Sequence, residues 1–369
     1  MLEGFQSVGK TIQEIVTKRY TKGANIVQED LCCPVSYDAQ YLKIIPREVI
    51  EKDYGCGDPS QYIKEGETVL DLGSGTGKIC FIAAQVVGPK GKVIGIDSTD
   101  KMLEVARRNT PIVAKKLGYE NVFFKRGLIQ DLMTDLDYMD HLLTEKPVTS
   151  AAEHMDFINN QNNYKYKKPL IPSNSIDIIV SNCVLNLVDD RQKNSLFHEI
   201  FRVLKPNGRI AISDIISDKV SPLHLKKDET LWGGCISGAL QEQEFLQILK
   251  DIGFQDIILE KREEKPWKII ENIEYRSVTV LAWKRDLDKT QIVSGSATYK
   301  GPFQVVEDDR GNQYQRGVAK NITLDTISIL KSSPYEHLFH MDIRANQNRE
   351  SAQKKSNPRQ KLTTQNKCC

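Results

Sequence analysis

The sequence predicts an α/β protein built on a parallel, doubly wound sheet, with a smaller unit appended at its carboxyl end. Three observations predict it. Short apolar strands alternate with helical stretches from Thr68 to about Lys284; two successive strands end in an acid, Asp71 and Asp97; and a glycine run follows the first strand at once. Strands alternating with helices favour parallel pairing through crossover connections.

The elements follow in order. Thr68–Leu72 reads as the first strand, Lys78–Val87 as a helix closed by Gly88-Pro89, and Lys92–Asp97 as the second strand. Asp100 to about Leu117 has helical spacing, and Val122–Lys125 reads as a third strand. Ser175–Val180 is a fourth and Gly208–Ser213 a fifth, separated by a helix from Asp190 to Leu204 that stops at Lys205-Pro206-Asn207-Gly208, a helix-stop and turn signal. Ligands on such sheets sit at the carboxyl ends of the strands. There fall Asp71, the glycines, Asp97 and Ser181-Asn182-Cys183. Residues 1–67 are helical in character, with Cys32, Cys33 and Cys56 in their turns. Residues 131–174 hold a polar stretch, Asn159 to Lys168, too long for an ordinary core connection and expected as an exposed excursion. Residues 286–342 are expected to form a small α+β unit, and 343–369 a disordered basic tail.

Composition narrows the function. The 369 residues carry 51 Lys+Arg against 49 Asp+Glu, and 40% are apolar. A single core stops growing near ~250–300 residues, so one large domain and something smaller are expected. The near-neutral balance argues against a general electrostatic grip on nucleic acid or an acidic membrane. No stretch reaches the ~18 apolar residues of a membrane span. Glu3 and Glu14 and the lack of an apolar run argue against a signal peptide. Eight cysteines, two pairs of them adjacent (Cys32/Cys33 and Cys368/Cys369), do not resemble a secreted disulfide framework, so a reducing cytoplasm is the expected location.

The glycine loop reads Asp71-x-Gly73-x-Gly75-x-Gly77, with Asp97 closing the next strand. Glycines let the backbone turn sharply and approach a ligand closely. An acid ending strand two is placed to accept hydrogen bonds from ribose hydroxyls. The dinucleotide version needs G-x-G-x-x-G to seat a pyrophosphate on the helix N-terminus, and here Lys78 stands at the third glycine position. A ligand with a ribose and no pyrophosphate fits better, and S-adenosylmethionine is the common one.

Four cysteines have distinctive surroundings: Leu31-Cys32-Cys33-Pro34, Tyr54-Gly55-Cys56-Gly57, Ser181-Asn182-Cys183-Val184-Leu185-Asn186, and Trp232-Gly233-Gly234-Cys235-Ile236. Cys80, on the helix after the glycine loop, reads as a small buried hydrophobe. Cys183 lies just past strand four, at the ligand-binding edge. Cys56 and Cys235 sit beside glycines, as loop positions approaching a ligand would. The absence of a CxxC pair argues against a closed zinc site. Trp232 reads as packing beneath the Cys235 loop.

The YGCG, DLGSGTG, SNCVLNLV and WGGCISGAL segments together resemble those of arsenite S-adenosylmethionine methyltransferases, over about residues 25–342. The resemblance implies a Rossmann-like class I methyltransferase sheet over 68–285, S-adenosylmethionine as cofactor, and arsenite and methylarsenite as substrates in arsenic detoxification. It makes Cys183 and Cys235 core As(III) ligands. Cys56 and one of Cys32/Cys33 would be the amino-terminal pair, with Cys32 favoured as the first of its doublet. Tyr54, Gly73, Gly75, Asp97, Leu128, Ile129 and Asn182 would line the cofactor pocket, with Asp71 and Gly77 completing the loop. Two positions depart from the family: Gly234 stands where it usually has Glu, and Ser98 where it often has Met.

The chemistry suits these residues. Trivalent arsenic is soft and prefers thiolate sulfur. A free thiol with pKa ~8.5 is mostly protonated at neutral pH, so each must lose its proton on binding. Three converging thiolates leave the arsenic lone pair pointing outward, ready to take a methyl group without a general base. Each transfer oxidises arsenic, and a pair of enzyme thiols closing to a disulfide could return the electrons, with thioredoxin or glutathione as external reductant. Two rivals remain: methylation of a small organic acceptor on oxygen or carbon, and a non-catalytic thiol module for soft metals. Nothing is patterned as a coiled coil, and a monomer is the default expectation.

Overall fold

The computed structural model describes residues 11–26, 28, 35, 37–52, 54–285, 293–308, 310–331 and 334–343. Cys32, Cys33, the Cys368-Cys369 pair and the basic tail lie outside them. The chain divides into two compact units, 1–286 and 287–369.

The strands of the first unit are β1 (Thr68–Leu72), β2 (Lys92–Asp97), β3 (Val122–Arg126), β4 (Ile176–Asn182), β5 (Leu204–Ser217), β6 (Leu240–Gln241), β7 (Gln255–Arg262), β8 (Lys268–Ile270) and β9 (Ile273–Trp283). Its longer helices are α1 (Ile12–Asn25), α4 (Lys78–Val87), α5 (Asp100–Leu117), α6 (Leu136–Glu145), α7 (Ala151–Lys167), α8 (Asp190–Val203) and α11 (Glu242–Ile252). Short helices fill the connections: α2 (Ala39–Leu42), α3 (Arg47–Glu51), α9 (Leu223–Lys226) and α10 (Glu229–Gly233).

One sheet runs β3-β2-β1-β4-β5-β9-β7. The pairs from β3 to β5 are parallel, and β9 joins β5 and β7 antiparallel. Strand order reverses between β1 and β4, which opens the crevice where such sheets bind ligands. Side chains alternate along each strand, so both faces are apolar. Leu70 and Leu72 face a core with Phe197 and Ile200 of α8 and Leu249 of α11, whereas Val69 faces one with Phe81 of α4 and Val105 of α5. Each fully buried side chain of this size contributes about 1.5–3 kcal/mol. The fold is that of a Rossmann-like doubly wound sheet with antiparallel strands added at one edge.

Two segments differ from expectation. The polar stretch Asn159–Lys168 is exposed or half-buried, as its polarity suggests, but it is helical: 131–174 holds two helices, of which α7 buries none of its residues, while Leu132, Leu170 and Ile171 join the core. Ser150 and Glu153 form a capping box that starts α7, and its outward ion pairs include Lys165 with Asp131 at 2.9 Å and Asp156 with Lys146 at 3.5 Å. The expected turn at Lys205–Gly208 lies within β5, whose pairing begins at Leu204 opposite Ile176 and shifts register before Ile178. Asn207 takes the positive φ that the turn residues signalled.

In the second unit, β10 (Val293–Tyr299), β13 (Ala319–Thr323) and β14 (Phe339–Ile343) form an antiparallel sheet. The strands β11 (Val305–Glu307) and β12 (Gln313–Gln315) form a hairpin, and α12 (Leu324–Leu330) follows β13. Tyr299, Tyr314 and Phe339 make a core of its own. No described helix is long and apolar enough to cross a membrane.

Candidate active site

A cavity of about 610 Å³ opens at the carboxyl ends of β1, β2 and β4, within the ~300–1,000 Å³ of small-molecule sites. Gly73, Gly75, Asp97, Leu128 and Ile129 line it, as does Tyr54. Gly73 and Gly75 have φ of +70° and +53°, the left-handed region that favours glycine. A β-carbon on Gly73 would collide with Val184, whereas one on Gly75 would stand in open space. Asp97 accepts hydrogen bonds from the backbone N–H of Gly75 at 2.9 Å and of Thr99 at 2.7 Å. Burial pushes its carboxyl above the ordinary range, and these N–H groups pull the other way.

Three of the predicted cofactor residues are placed differently. Gly77 is not among the residues lining the cavity; its φ is +94°, and a β-carbon there would meet Phe124 at 2.6 Å. Asp71 is buried behind the loop and accepts a hydrogen bond from the Cys80 thiol at 3.2 Å. Asn182 faces the Cys56 turn. Its side-chain oxygen accepts from the N–H of Cys56 at 2.9 Å and of Gly57 at 3.1 Å, and its Nδ2 donates to the Gly57 carbonyl at 2.7 Å.

The sequence did not reveal the wall that α1 contributes. Ile12, Val16 and Tyr20, four residues apart and so on one helix face, line the cavity, and Gln13 donates to Ser98 Oγ at 3.1 Å. The available signal was the Thr11–Glu14 capping box, which marks a helix start and says nothing of a ligand. Tyr54 anchors the far end of this helix by donating to the Gly23 carbonyl at 3.1 Å.

A smaller chamber adjoins the cavity, and Tyr20, Tyr54 and Cys183 line both. Ile215, Gly234, Cys235 and Trp267 complete its wall. Cys56 and Cys183, 127 residues apart, are joined as a disulfide. The Cys235 thiol donates to the Cys183 carbonyl at 2.9 Å, and the Tyr20 hydroxyl lies 3.9 Å from its sulfur. All three cysteines are buried. One buried cluster holds Cys56, Cys183 and Cys235, which come from three separate segments. Among the described residues, the one group of three Cys, His, Asp or Glu side chains close enough to share an ion is Cys56, Cys183 and Asp214, their ligand atoms within 4.8 Å of one another. Burial pushes the Asp214 carboxyl up to about 6. Trp232 packs under the Cys235 loop and donates its indole N–H to the Leu187 carbonyl at 3.3 Å. His224, exposed, pairs with Glu271.

The family model "Methyltransferase domain" matches residues 63–162 and 158–253. An arsenite methyltransferase of Mus musculus is 30% identical over 314 residues, 81% of this chain and 73% of that protein. The chain belongs to the arsenite methyltransferase family. An arsenite methyltransferase of Aquipseudomonas alcaligenes is 34% identical over 229 residues, and the match spans 56% of that protein's length. The crystal structure of CrArsM, an arsenic(III) S-adenosylmethionine methyltransferase from Chlamydomonas reinhardtii, superposes with a TM-score of 0.57 at 28% identity, covering 85% of this chain and 97% of that one. Residues 287–367 match "Domain of unknown function (DUF8838)". As a member of the arsenite methyltransferase family the chain is a methyltransferase, with S-adenosylmethionine as its cofactor. The cavity suits that group: the glycine turn leaves room for a ligand at Gly75, and the Asp97 carboxylate stands beside it where ribose hydroxyls can donate.

Proposed function

We propose that this chain methylates trivalent arsenic, converting arsenite to methylarsenite and then dimethylarsenite. The observation that carries the reading is that Cys183 lines both the cofactor cavity and the chamber, with Cys235 in the chamber wall and Cys56 bonded to Cys183 behind it. With the disulfide reduced, Cys56 and Cys183 supply two thiols, and Cys235, in the same buried cluster, supplies a third. As arsenite exchanges its hydroxyls for them, each thiol proton leaves with a hydroxyl as water. When bound, S-adenosylmethionine supplies an electrophilic methyl group, which the arsenic lone pair takes up with no proton moved. The protein's contribution is chiefly positioning, which can supply up to ~7–11 kcal/mol. The half-buried rings of Tyr20 and Tyr54, edge to face at 6.3 Å, line both spaces.

Methylation takes arsenic from the trivalent to the pentavalent state. Two electrons return if two of its thiolates leave as a disulfide, and Cys56 with Cys183 is the pair joined here. Thioredoxin or glutathione would then reduce that bond. Cys32 and Cys33 are the remaining candidates for relaying it. Asp71 and Gly77 support the glycine loop from behind, and Leu128, Ile129 and Asn182 complete the pocket and its edge. The test is transfer of labelled methyl groups to arsenite and to a panel of phenols and quinols. Label in methylated arsenic alone supports the reading. Label in an organic acceptor alone, or arsenite bound without turnover, overturns it.

A further inference from the structure

The Asn182-Cys183-Val184-Leu185-Asn186 segment carries the central cysteine and an amide on each side of it. Asn182 holds the Cys56 turn, as described above. Asn186 does the same for the third cysteine. Its Nδ2 donates to Asp214 Oδ1 at 2.8 Å and to the Ile215 carbonyl at 2.6 Å, and reaches the Cys235 carbonyl at 3.3 Å. Asp214 orients it, and also accepts the backbone N–H groups of Leu185 and Ile215 at 2.9 and 2.8 Å. Both side chains are 2% exposed. Burying a carboxylate and an amide is costly unless they are bonded, and here the bonds run from the end of β5 to both cysteine loops.

These loops need an external hold. Cys183 and Cys235 both take positive φ, 58° and 61°, a region that non-glycine residues occupy only when surrounding structure holds them there. The Cys235 loop also packs its Gly238 so tightly that a β-carbon there would collide with the Asn186 carbonyl. Lys193 of α8 ties the same loop by donating to the Gly238 carbonyl.

We infer that Asn186, oriented by Asp214, is a positioning residue that sets the Cys235 thiol against Cys183, so that arsenic receives its third sulfur. The inference rests on the function proposed above. Its test counts sulfurs by arsenic X-ray absorption on the reduced enzyme with arsenite, together with arsenite KM and calorimetric S-adenosylmethionine binding. The wild type is expected to show three As–S bonds. Asn186→Leu should show two, with KM for arsenite raised at least about tenfold and cofactor affinity within about twofold. Asn186→Ser, polar but too short to reach, is read alongside and should behave alike. Three sulfurs and a wild-type KM in either variant would overturn the inference, as would parallel loss of cofactor binding in both. A wild type with no As–S bonds would instead overturn the proposed function.

Discussion

Cys56 stands between two glycines for reasons visible in its surroundings: a β-carbon on Gly55 would strike the Asn182 amide, and one on Gly57 would come 2.5 Å from Ser213 Oγ. Small neighbours thus let the cysteine turn press against β4 and β5. On the proposed chemistry, Cys183→Ser and Cys235→Ser should abolish methylation of both arsenite and methylarsenite, with S-adenosylmethionine binding retained. Cys56→Ser should slow the arsenite step at least about tenfold more than the methylarsenite step, because a monomethylated arsenic needs two thiolates. Rates of both steps in each variant check this, and equal slowing by Cys56→Ser would contradict it. At this scale the sequence exposed the cysteines because their flanking glycines and motif segments are local. Asp214, Asn186 and Tyr20 were not legible. Their work depends on partners 28 to 215 positions away, and nothing beside them in the chain marks it.

Among the elements, α3 shows how the amino-terminal segment is bound to the cofactor loop. Thr76, within that loop, donates to the Val49 carbonyl at 3.0 Å, and Glu48 accepts from Arg108 and, at 2.8 Å, from Asn109 of α5. Hydrogen bonds from Arg108 and then Asn109 lower the Glu48 carboxyl from 4.5 to about 2. A carboxyl lowered in the folded state contributes stability that is present above about 4.5 and is lost as the pH falls through about 2. The group is partly solvated, so the contribution is modest. Urea melts from pH 6 down to 2 should therefore show a shallower acid loss in Glu48→Gln than in the wild type. The strands and helices around β1, β2 and α4 were legible to within a residue or two, because apolar runs and Gly or Pro stops mark both ends. The helix α7 was not, since Asn159–Lys168 lacks an apolar face and only its capping box betrays it.

For the whole molecule, the chain holds two sets of cores. One comprises the clusters around the central sheet, and the other is the Tyr299–Tyr314–Phe339 group of the second unit. Every residue described as lining the cavity and chamber lies between Thr11 and Trp267. A chain ending at residue 286 should accordingly bind S-adenosylmethionine and keep methylation of arsenite within about threefold. Calorimetry and rate assays check both, and loss of cofactor binding would show that the first unit depends on the second. The parallel sheet and its binding edge were legible from alternation and acid-ended strands. The disulfide between Cys56 and Cys183 was not, because only the packing of β4 against the amino-terminal turn brings the two sulfurs together. The most direct test of the account is a single turnover of fully reduced enzyme with arsenite and S-adenosylmethionine and no external reductant, with arsenic speciation and thiol titration on the same sample. The account predicts methylated arsenic together with loss of two thiols as the Cys56–Cys183 disulfide. Arsenic recovered entirely as arsenite, or methylated with every thiol intact, would contradict it.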